Sequence, residues 1–435
     1  IEILRMTDTI PHITRGSCGS SLLCYLIGIS HIDPIKYNIC FARFLNQYRD
    51  SLPDIDFDFP HFMRDEVFLK LFQKWGNKVA RISNHIYYQE KSALREALRR
   101  NGIRKFISKY ELNSEIKKLS ISLQLKIKNT QKSLEGTFKG YSLHCGGIIY
   151  FPDGIPDKYI LEGSERSILQ QVNLNKIDVS KNKNFKIDIL SSRGLTQLIY
   201  CNRFANIDFN SHIGDQKTID LLCRGDNIGI TLAETPLMRK AFLLVKPKTL
   251  LDVAICLSII RPAAKDAKKE FELGSIKEST VIFDDDVIEI LSKLIGCDEE
   301  MADKIRRGFT KKNKESIDII NRHLMNLPFE RQKDTIKMLK NIRKYGFCKA
   351  HALSYAQLVW QLAYQKANYP VQFWNSTLKT VQSCYKKWVH HYEAKCYGVS
   401  NLNKRHKSIY AKKRNKNSFN SHTSIEQLKK FGTWS

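Results

Sequence analysis

The segment Pro53-Asp54-Ile55-Asp56-Phe57-Asp58-Phe59 alternates carboxylates with apolar side chains. In an extended chain a period of two puts Asp54, Asp56 and Asp58 on one face and Ile55, Phe57 and Phe59 on the other, with the carboxylates about 6–7 Å apart. A half-buried strand with a solvated acidic face would account for the pattern. Against it, Asp is depleted in strands and like charges in a row repel. Divalent-metal chemistry asks for just such a row. Hard carboxylate oxygens suit Mg²⁺, and two ions about 3.5–4 Å apart can activate a hydroxyl and stabilise a leaving pyrophosphate. Two carboxylates at i and i+2 can share that pair; a third must come from elsewhere in the sheet. Asp188 is the candidate, on the short apolar segment Phe185-Lys186-Ile187-Asp188-Ile189-Leu190, with Arg193 just beyond.

Residues that could face phosphate surround this strand in sequence. Arg15-Gly16-Ser17 is a small-residue loop running into Leu22-Leu23-Cys24-Tyr25-Leu26-Ile27. Backbone N–H groups and the positive end of a helix suit an anion there, although tight packing explains many Gly-Ser pairs. Arg43 lies in the apolar stretch Phe41-Ala42-Arg43-Phe44, where a bare charge needs a partner. Arg306 and Arg307 precede Gly308, with Lys311 and Lys312 close behind. Each could equally be a solvated surface charge. Tyr345-Gly346-Phe347-Cys348-Lys349-Ala350-His351 opens a helix rich in Tyr355, Trp360 and Tyr364. At that spacing such aromatics serve as core or stack on bases, and His351 by itself reads as structural.

The elements that must hold these residues differ in texture. Residues 1–85 mix small-residue loops, helical patterns and the acidic strand, with Gly28 closing the leucine-rich helix. Residues 86–141 are basic and helical: a charged helix from Lys91 to Lys109, continued by Ile116, Leu119, Leu123 and Ile127 at helical spacing. Residues 142–195 turn strand-like, with Gly146 to Phe151 ending at Pro152. Residues 196–400 are mostly helical, interrupted by a basic loop over Lys311-Lys312-Asn313-Lys314. Residues 401–435, rich in Lys and Arg from Lys404 to Lys416, read as a basic tail or the edge of a further domain.

Bulk composition narrows the partner. The 435 residues carry a formal net charge of +27, and a field of that size calls for a polyanion. Nucleic acid fits. A membrane does not, since no run of about 18 apolar residues exists and the basic residues are spread along the chain. The 11 cysteines include no C-x-x-C pair, which speaks against a zinc ribbon or a disulfide framework and for a reducing, cytoplasmic compartment. The sequence opens on Ile1 rather than Met, as a fragment or trimmed product would.

A Gly-Ser loop followed by an Asp-x-Asp strand resembles nucleotidyltransferases of the polymerase-beta type. Over a longer span the order Arg15-Gly16-Ser17, Ile32-Asp33-Pro34, Phe41-x-Arg43-Phe44-Leu45-Asn46, Pro53-Asp54-x-Asp56-x-Asp58 and Arg64-Asp65-Glu66-Val67 resembles the palm of C-family DNA polymerases, the bacterial replicative type. His144-x-Gly146-Gly147 and Lys186-Ile187-Asp188 resemble the second half of that palm. Glu234-Thr235, Ile260-Arg261-Pro262, Arg306-Arg307-Gly308 and Tyr345-Gly346-Phe347-x-Lys349-x-His351 resemble its fingers. Three departures stand out: Thr231-Leu232 where the family usually has Phe-Gln, Ala263 for a usual Gly, and Cys348-Lys349-Ala350-His351 for Asn-Lys-Ser-His. The resemblance covers roughly residues 10–400 and does not extend to the family's N-terminal phosphoesterase-like domain, clamp-binding segment or oligonucleotide-binding fold.

The resemblance implies an α+β fold with a polymerase-beta-like nucleotidyltransferase palm (1–85 and 142–195), a helical thumb (86–141) and large, mostly helical fingers (196–400). It implies a DNA-templated DNA polymerase in replication that uses two Mg²⁺ ions. Asp54, Asp56 and Asp188 would be its catalytic and metal-binding residues, with Asp58 in support. Arg15, Gly16, Ser17, Arg43, Lys186, Arg306 and Arg307 would bind nucleotide and phosphate. Primer-template DNA and dNTPs are the partners implied, with a sliding clamp and other replisome subunits beyond them. A template-independent nucleotidyltransferase and a non-catalytic nucleic-acid-binding remnant are the competing expectations.

Overall fold

The computed structural model describes residues 1–48, 53, 55–105, 107–108, 110–163, 168–182, 184–202, 206–276, 280–342, 346–380 and 382–399. Asp54, Tyr345 and the basic stretch 401–435 therefore lie outside the described residues. Among the described residues there are five strands, β1 (Ile13–Arg15), β2 (Ile55–Pro60), β3 (Val79–Tyr87), β4 (Phe138–Tyr150) and β5 (Lys186–Ser192), and the remaining regular elements are helices, which makes the class α+β. The chain divides into two compact units, one of residues 1–76 with 185 onward, the other of residues 77–184.

In the first unit β1 runs antiparallel to β2, and β2 runs parallel to β5. Ile13, Phe57, Phe59 and Ile189 are all buried. Burial of these apolar side chains fixes the register, because a one-residue slip would turn every one of them to the opposite face. Asp58 is also buried, at 2% exposure, so the acidic face is not simply solvated.

Helices complete this unit. Ser192 ends β5 and starts the Arg193–Cys201 helix by accepting from Leu195 N–H at 3.1 Å. The Lys349–Asn368 helix is buried on most sides and lies at the centre of an apolar core with Trp360, Trp374, Phe242 and Leu257. A second core, around Ile288, Leu291, Ile305 and Ile320, joins the helices Asp284–Ile295, Glu299–Thr310 and Lys314–Met325. The basic loop expected over 311–314 is shorter than that. Asn313 caps the next helix through Ser316 N–H, so Lys314 is already helical.

Within the first unit two polar groups are sealed among the helices. The ammonium of Lys366, 0% exposed, pairs with Asp226 and donates to the carbonyls of Asp226 at 3.0 Å and Ile228 at 2.9 Å. Glu234 meets His390 and accepts from Gly229 N–H at 2.8 Å. Both carboxylates keep pKa values below the ordinary range. For each, burial pushes upward, and the hydrogen-bond and charge partners together, Lys366 with Tyr397 for Asp226 and His390 with the Gly229 N–H for Glu234, more than reverse it.

The second unit pairs β3 with β4 in an antiparallel ribbon, broken by register shifts between Arg81 and Ser83 and between Ile86 and Tyr87. Its helices Glu90–Arg100, Leu112–Lys117 and Ile121–Leu134 close over Ala93, Ala97, Leu98, Ile127 and Leu134. The helix expected to reach Lys109 ends at Arg100. There the Asn101 side chain donates back to the Ala97 carbonyl at 2.8 Å, and Gly102 at φ +87° turns the chain. The strand expected from Gly146 begins eight residues earlier, at Phe138. Its first residues fall in the stretch up to 141 that was expected to be helical.

Candidate active site

The site grows from three adjacent strands in the first unit. Arg15 of β1 stands opposite Asp56 of β2, and Asp56 stands opposite Asp188 of β5. Directly opposed residues on neighbouring strands point to the same side, with Cβ atoms about 5 Å apart. Two carboxylates from segments 132 positions apart in the chain are thus made neighbours by pairing alone. Lys186, two residues before Asp188 on the same face, places its ammonium 2.8 Å from Asp188 Oδ2 and is itself buried.

Gly16 follows β1 at φ +78°, and a Cβ there would sit 3.3 Å from Asp56 Oδ2. Backbone can therefore approach this carboxylate only because the residue is glycine, both for its conformation and for its lack of a side chain. Ser17 leads into a short 3-10 turn, Cys18–Ser20, without capping it through its side chain. The helix expected after the loop is Leu22–Leu26, capped by Ser21, with Gly28 at φ +77° just past its end as expected. A five-residue helix has a weak dipole, so the loop's glycine geometry carries the anion argument and the helix end does not.

Asp58 has a different role from Asp56. It lies 3.7 Å from the Arg15 guanidinium and accepts from the Tyr355 hydroxyl at 3.3 Å, while Arg15 donates to the same hydroxyl oxygen at 3.2 Å. Burial raises the Asp58 pKa, and Arg15 pulls it back only in part. The closed triangle fixes Arg15 beside Asp56. Tyr355 comes from the Lys349–Asn368 helix, whose start also touches the loop: the Cys348 thiol donates to the Gly16 carbonyl at 3.2 Å.

The other expected basic residues form a second group. Arg43 bonds Asp284 at 3.2 Å and lies beside buried Asp285, which accepts from Lys349 N–H at 2.7 Å. Arg306 and Arg307 both clasp Asp303, 0% exposed, at 2.7 and 3.1 Å, and Asn46 donates to the same carboxylate at 3.3 Å. The partner that Arg43 needed is therefore supplied, and Arg306 and Arg307 are anchored rather than loose on the surface.

His351 stands where the two groups meet. Its ring stacks on Phe347 at 4.5 Å, and Arg261 lies over the other ring at 4.0 Å from the Phe347 centroid. Burial, followed by the fields of Arg15, Arg261 and Arg43, holds its pKa down to about 3, so the ring is neutral. Its Nε2 is buried and has no hydrogen-bond partner among the described residues. No site role was expected for Cys348, Asp284, Asp285 or Asp303, and Tyr355 was expected only as core or as a ring that stacks on bases. The run Asp284-Asp285-Asp286 at a helix start was a readable signal of anchoring carboxylates.

Asp56 and Asp188 offer only oxygen donors, the set that Mg²⁺ prefers, and an ammonium already satisfies one oxygen of the pair. Among the described residues no group of three or more His, Cys, Asp or Glu is placed to hold a metal ion. Asp54, the remaining member of the expected triad, lies outside them.

Comparison with known proteins gives this geometry a family. Residues 4–191 match the bacterial DNA polymerase III alpha NTPase domain, and residues 192–278 match the bacterial DNA polymerase III alpha subunit finger domain. The chain is 30% identical over 439 residues to DNA polymerase III subunit alpha of Bacillus subtilis, covering 88% of this chain and 39% of the relative. It is 29% identical over 441 residues to the Ureaplasma parvum protein of the same name, covering 89% and 45%. For that of Streptococcus pyogenes serotype M1 the figures are 26% over 424 residues, 85% and 40%. The chain thus spans about two fifths of the length of these curated relatives. With two domains of one family matched in order along adjoining segments, the chain belongs to the DNA polymerase III alpha-like proteins.

Proposed function

We propose that this chain is the nucleotidyl-transfer part of a DNA-directed DNA polymerase that works in replication. The observation that carries the reading is the register of β1, β2 and β5, which sets Arg15, Asp56 and Asp188 side by side under the Gly16 backbone. Residues 1–85 and 142–195 would form its palm, of polymerase-beta-like type, residues 86–141 its thumb and residues 196–400 its fingers.

In this reading Asp56, Asp188 and Asp54 hold the divalent ions. Two Mg²⁺ ions, when bound, would supply the charge that lowers the pKa of a primer hydroxyl and offsets charge on the leaving pyrophosphate. The chain's own side chains do the positioning. Gly16 and Ser17 offer backbone N–H groups to the triphosphate. Arg15 is held by Asp58 and Tyr355 so that its guanidinium need not reorganise when an anion arrives. Lys186 fixes the Asp188 carboxylate in place. Arg43, Arg306 and Arg307, anchored on Asp284 and Asp303, add positive potential for the nucleotide. Primer-template DNA would be held through its phosphates by the chain's positive charge, so binding weakens steeply with salt. A sliding clamp and other replisome subunits are further partners in this proposal. Among the described residues no helix is long and apolar enough to cross a membrane.

Primer extension with Mg²⁺ and four dNTPs, compared between this chain and its Asp188→Asn variant, tests the reading. Templated extension that disappears in the variant or on adding EDTA supports it. Extension that ignores the template points to a template-independent transferase. No extension with DNA still bound points to a binding remnant.

A further inference from the structure

The ribbon of the second unit carries a cluster of rings half open to solvent. His85 of β3 stands opposite Tyr141 of β4, and Tyr87 stands opposite Phe138. The rings meet edge to face: His85–Tyr141 at 5.3 Å, His85–Phe138 at 5.8 Å, Phe138–Tyr141 at 4.9 Å and Tyr87–Phe138 at 6.0 Å between centroids. Tyr87, Phe138 and Tyr141 remain 46%, 47% and 43% exposed.

The array is held in place. His85 Nε2 donates to the Asn173 carbonyl at 2.7 Å, and its Nδ1 accepts from the Asn175 amide at 2.8 Å. Asn175 in turn caps the short helix Lys176–Lys181. A ribbon pinned at its central ring keeps the outer rings oriented at little entropic cost. Grouped, exposed aromatics of this kind mark an interaction surface, since nothing in the fold requires them to face water.

Charge selects the partner. Residues 77–184 hold 20 Lys and Arg against 10 Asp and Glu, a net of +10. Lys139 follows Phe138 directly, with its ammonium 5.5 Å over the Tyr88 ring, and Lys176 and Lys181 lie on the helix that Asn175 caps. Aromatic faces flanked by ammonium groups are what unpaired bases on a phosphate backbone recognise. Paired bases in a duplex offer their faces only to their neighbours in the stack.

We propose that Tyr87, Phe138 and Tyr141, with Lys139 beside them, form a stacking platform for single-stranded nucleic acid. The proposal rests on the reading of the chain as a protein that handles DNA, and adds where unpaired bases are held.

Fluorescence anisotropy with a labelled oligothymidylate, and separately with a blunt DNA duplex, tests it on the chain itself. The Phe138→Leu/Tyr141→Leu variant keeps apolar bulk on the ribbon and removes the ring faces. It should bind oligothymidylate at least about tenfold more weakly, with the salt slope and duplex affinity retained. The Phe138→Tyr/Tyr141→Phe variant should bind as the parent does. Unchanged oligothymidylate affinity in the leucine variant, with the parent's circular dichroism, would overturn the platform. So would an equal loss on the duplex, which would make the patch a contact to backbone or a partner-protein surface. Primer extension on the same preparations separates the two readings. A chain that stacks oligothymidylate in this ring-dependent way yet extends no primer removes the polymerase reading and keeps the platform.

Discussion

Two sets of polar side chains in the first unit are built on opposite rules. Among the helices, Lys366 faces Asp226 and Glu234 meets His390, and each group is answered by a partner in a closed apolar setting. On the strands, Asp56 stands in register with Asp188, a like charge, and the balancing cations Arg15 and Lys186 come from the flanks. A buried pair of opposite charges is locally complete. A cross-strand pair of carboxylates costs stability in isolation and gains it back when cations arrive. The first arrangement is that of a structural strut, the second that of a site. Strand β2 shows both within three residues, because Asp58 is tied to Arg15 and Tyr355 while Asp56 is set against Asp188.

The largest effect should come from breaking the carboxylate pair. Asp56→Asn or Asp188→Asn should lower primer extension by on the order of 10³-fold or more. Urea unfolding of Asp56→Asn should show stability held within about 1 kcal/mol, because removing one of two like charges relieves repulsion, whereas Asp188→Asn also leaves the buried Lys186 ammonium without its carboxylate and should cost more. An Asp56→Asn variant that unfolds readily would move this aspartate to the structural class. The strut should respond in the reverse sense. Lys366→Met leaves Asp226 without its ammonium and should cost about 3–5 kcal/mol in urea unfolding. A cost below about 1 kcal/mol would mean that Asp226, hydrogen bonded by Tyr397 at 2.7 Å, is satisfied without Lys366.

Asp58→Asn probes the boundary between the two rules. It keeps the shape but weakens the hold on Arg15, so stability should fall by about 1–3 kcal/mol. Extension should fall far less than in Asp56→Asn, since Asp58 acts through Arg15. If the two variants lost activity equally, Asp58 would have to contact the reacting groups itself.

Much of this was readable in the sequence, and the limits have physical causes. Period-two alternation marked β2, and the short apolar run marked β5. Neither could reveal the register that sets Asp56 beside Asp188, because register is decided by the burial of Phe57, Phe59 and Ile189 against partners distant in the chain. Helical texture after residue 196 was plain, yet the Lys349–Asn368 helix is buried nearly all round and carries no amphipathic stripe to show which side meets the strands. Its Tyr355 was therefore left open between core and base stacking. The anchoring role of Asp58 was also hidden, since the alternation treats positions 56 and 58 alike. The early start of β4 at Phe138 was hidden because the helical spacing of Ile116, Leu119, Leu123 and Ile127 carried the helical reading past it.

The smallest effect concerns the apolar face of the same strand. His12 packs on Phe57 at 5.4 Å and on Phe59 at 6.0 Å, with His31 at 5.1 Å. Burial first, and then the field of His31, lower its pKa from 6.5 to about 4. The folded state therefore resists a proton that the unfolded chain accepts. The resulting contribution to stability is complete above about pH 6.5 and is lost as pH falls toward 4. Between pH 7 and 4.5 the parent should lose about 1–3 kcal/mol more than His12→Asn, whose amide can donate to the Ile29 carbonyl in place of the imidazole but does not titrate. Equal losses in parent and variant would assign the acid sensitivity in this window to the other histidines that burial keeps neutral, His31 and His351, since Glu234 and Asp226, with lowered pKa values, lose their contribution only below about pH 4. The two pH windows thus distinguish the back of the carboxylate-bearing strand from the helical struts in one titration.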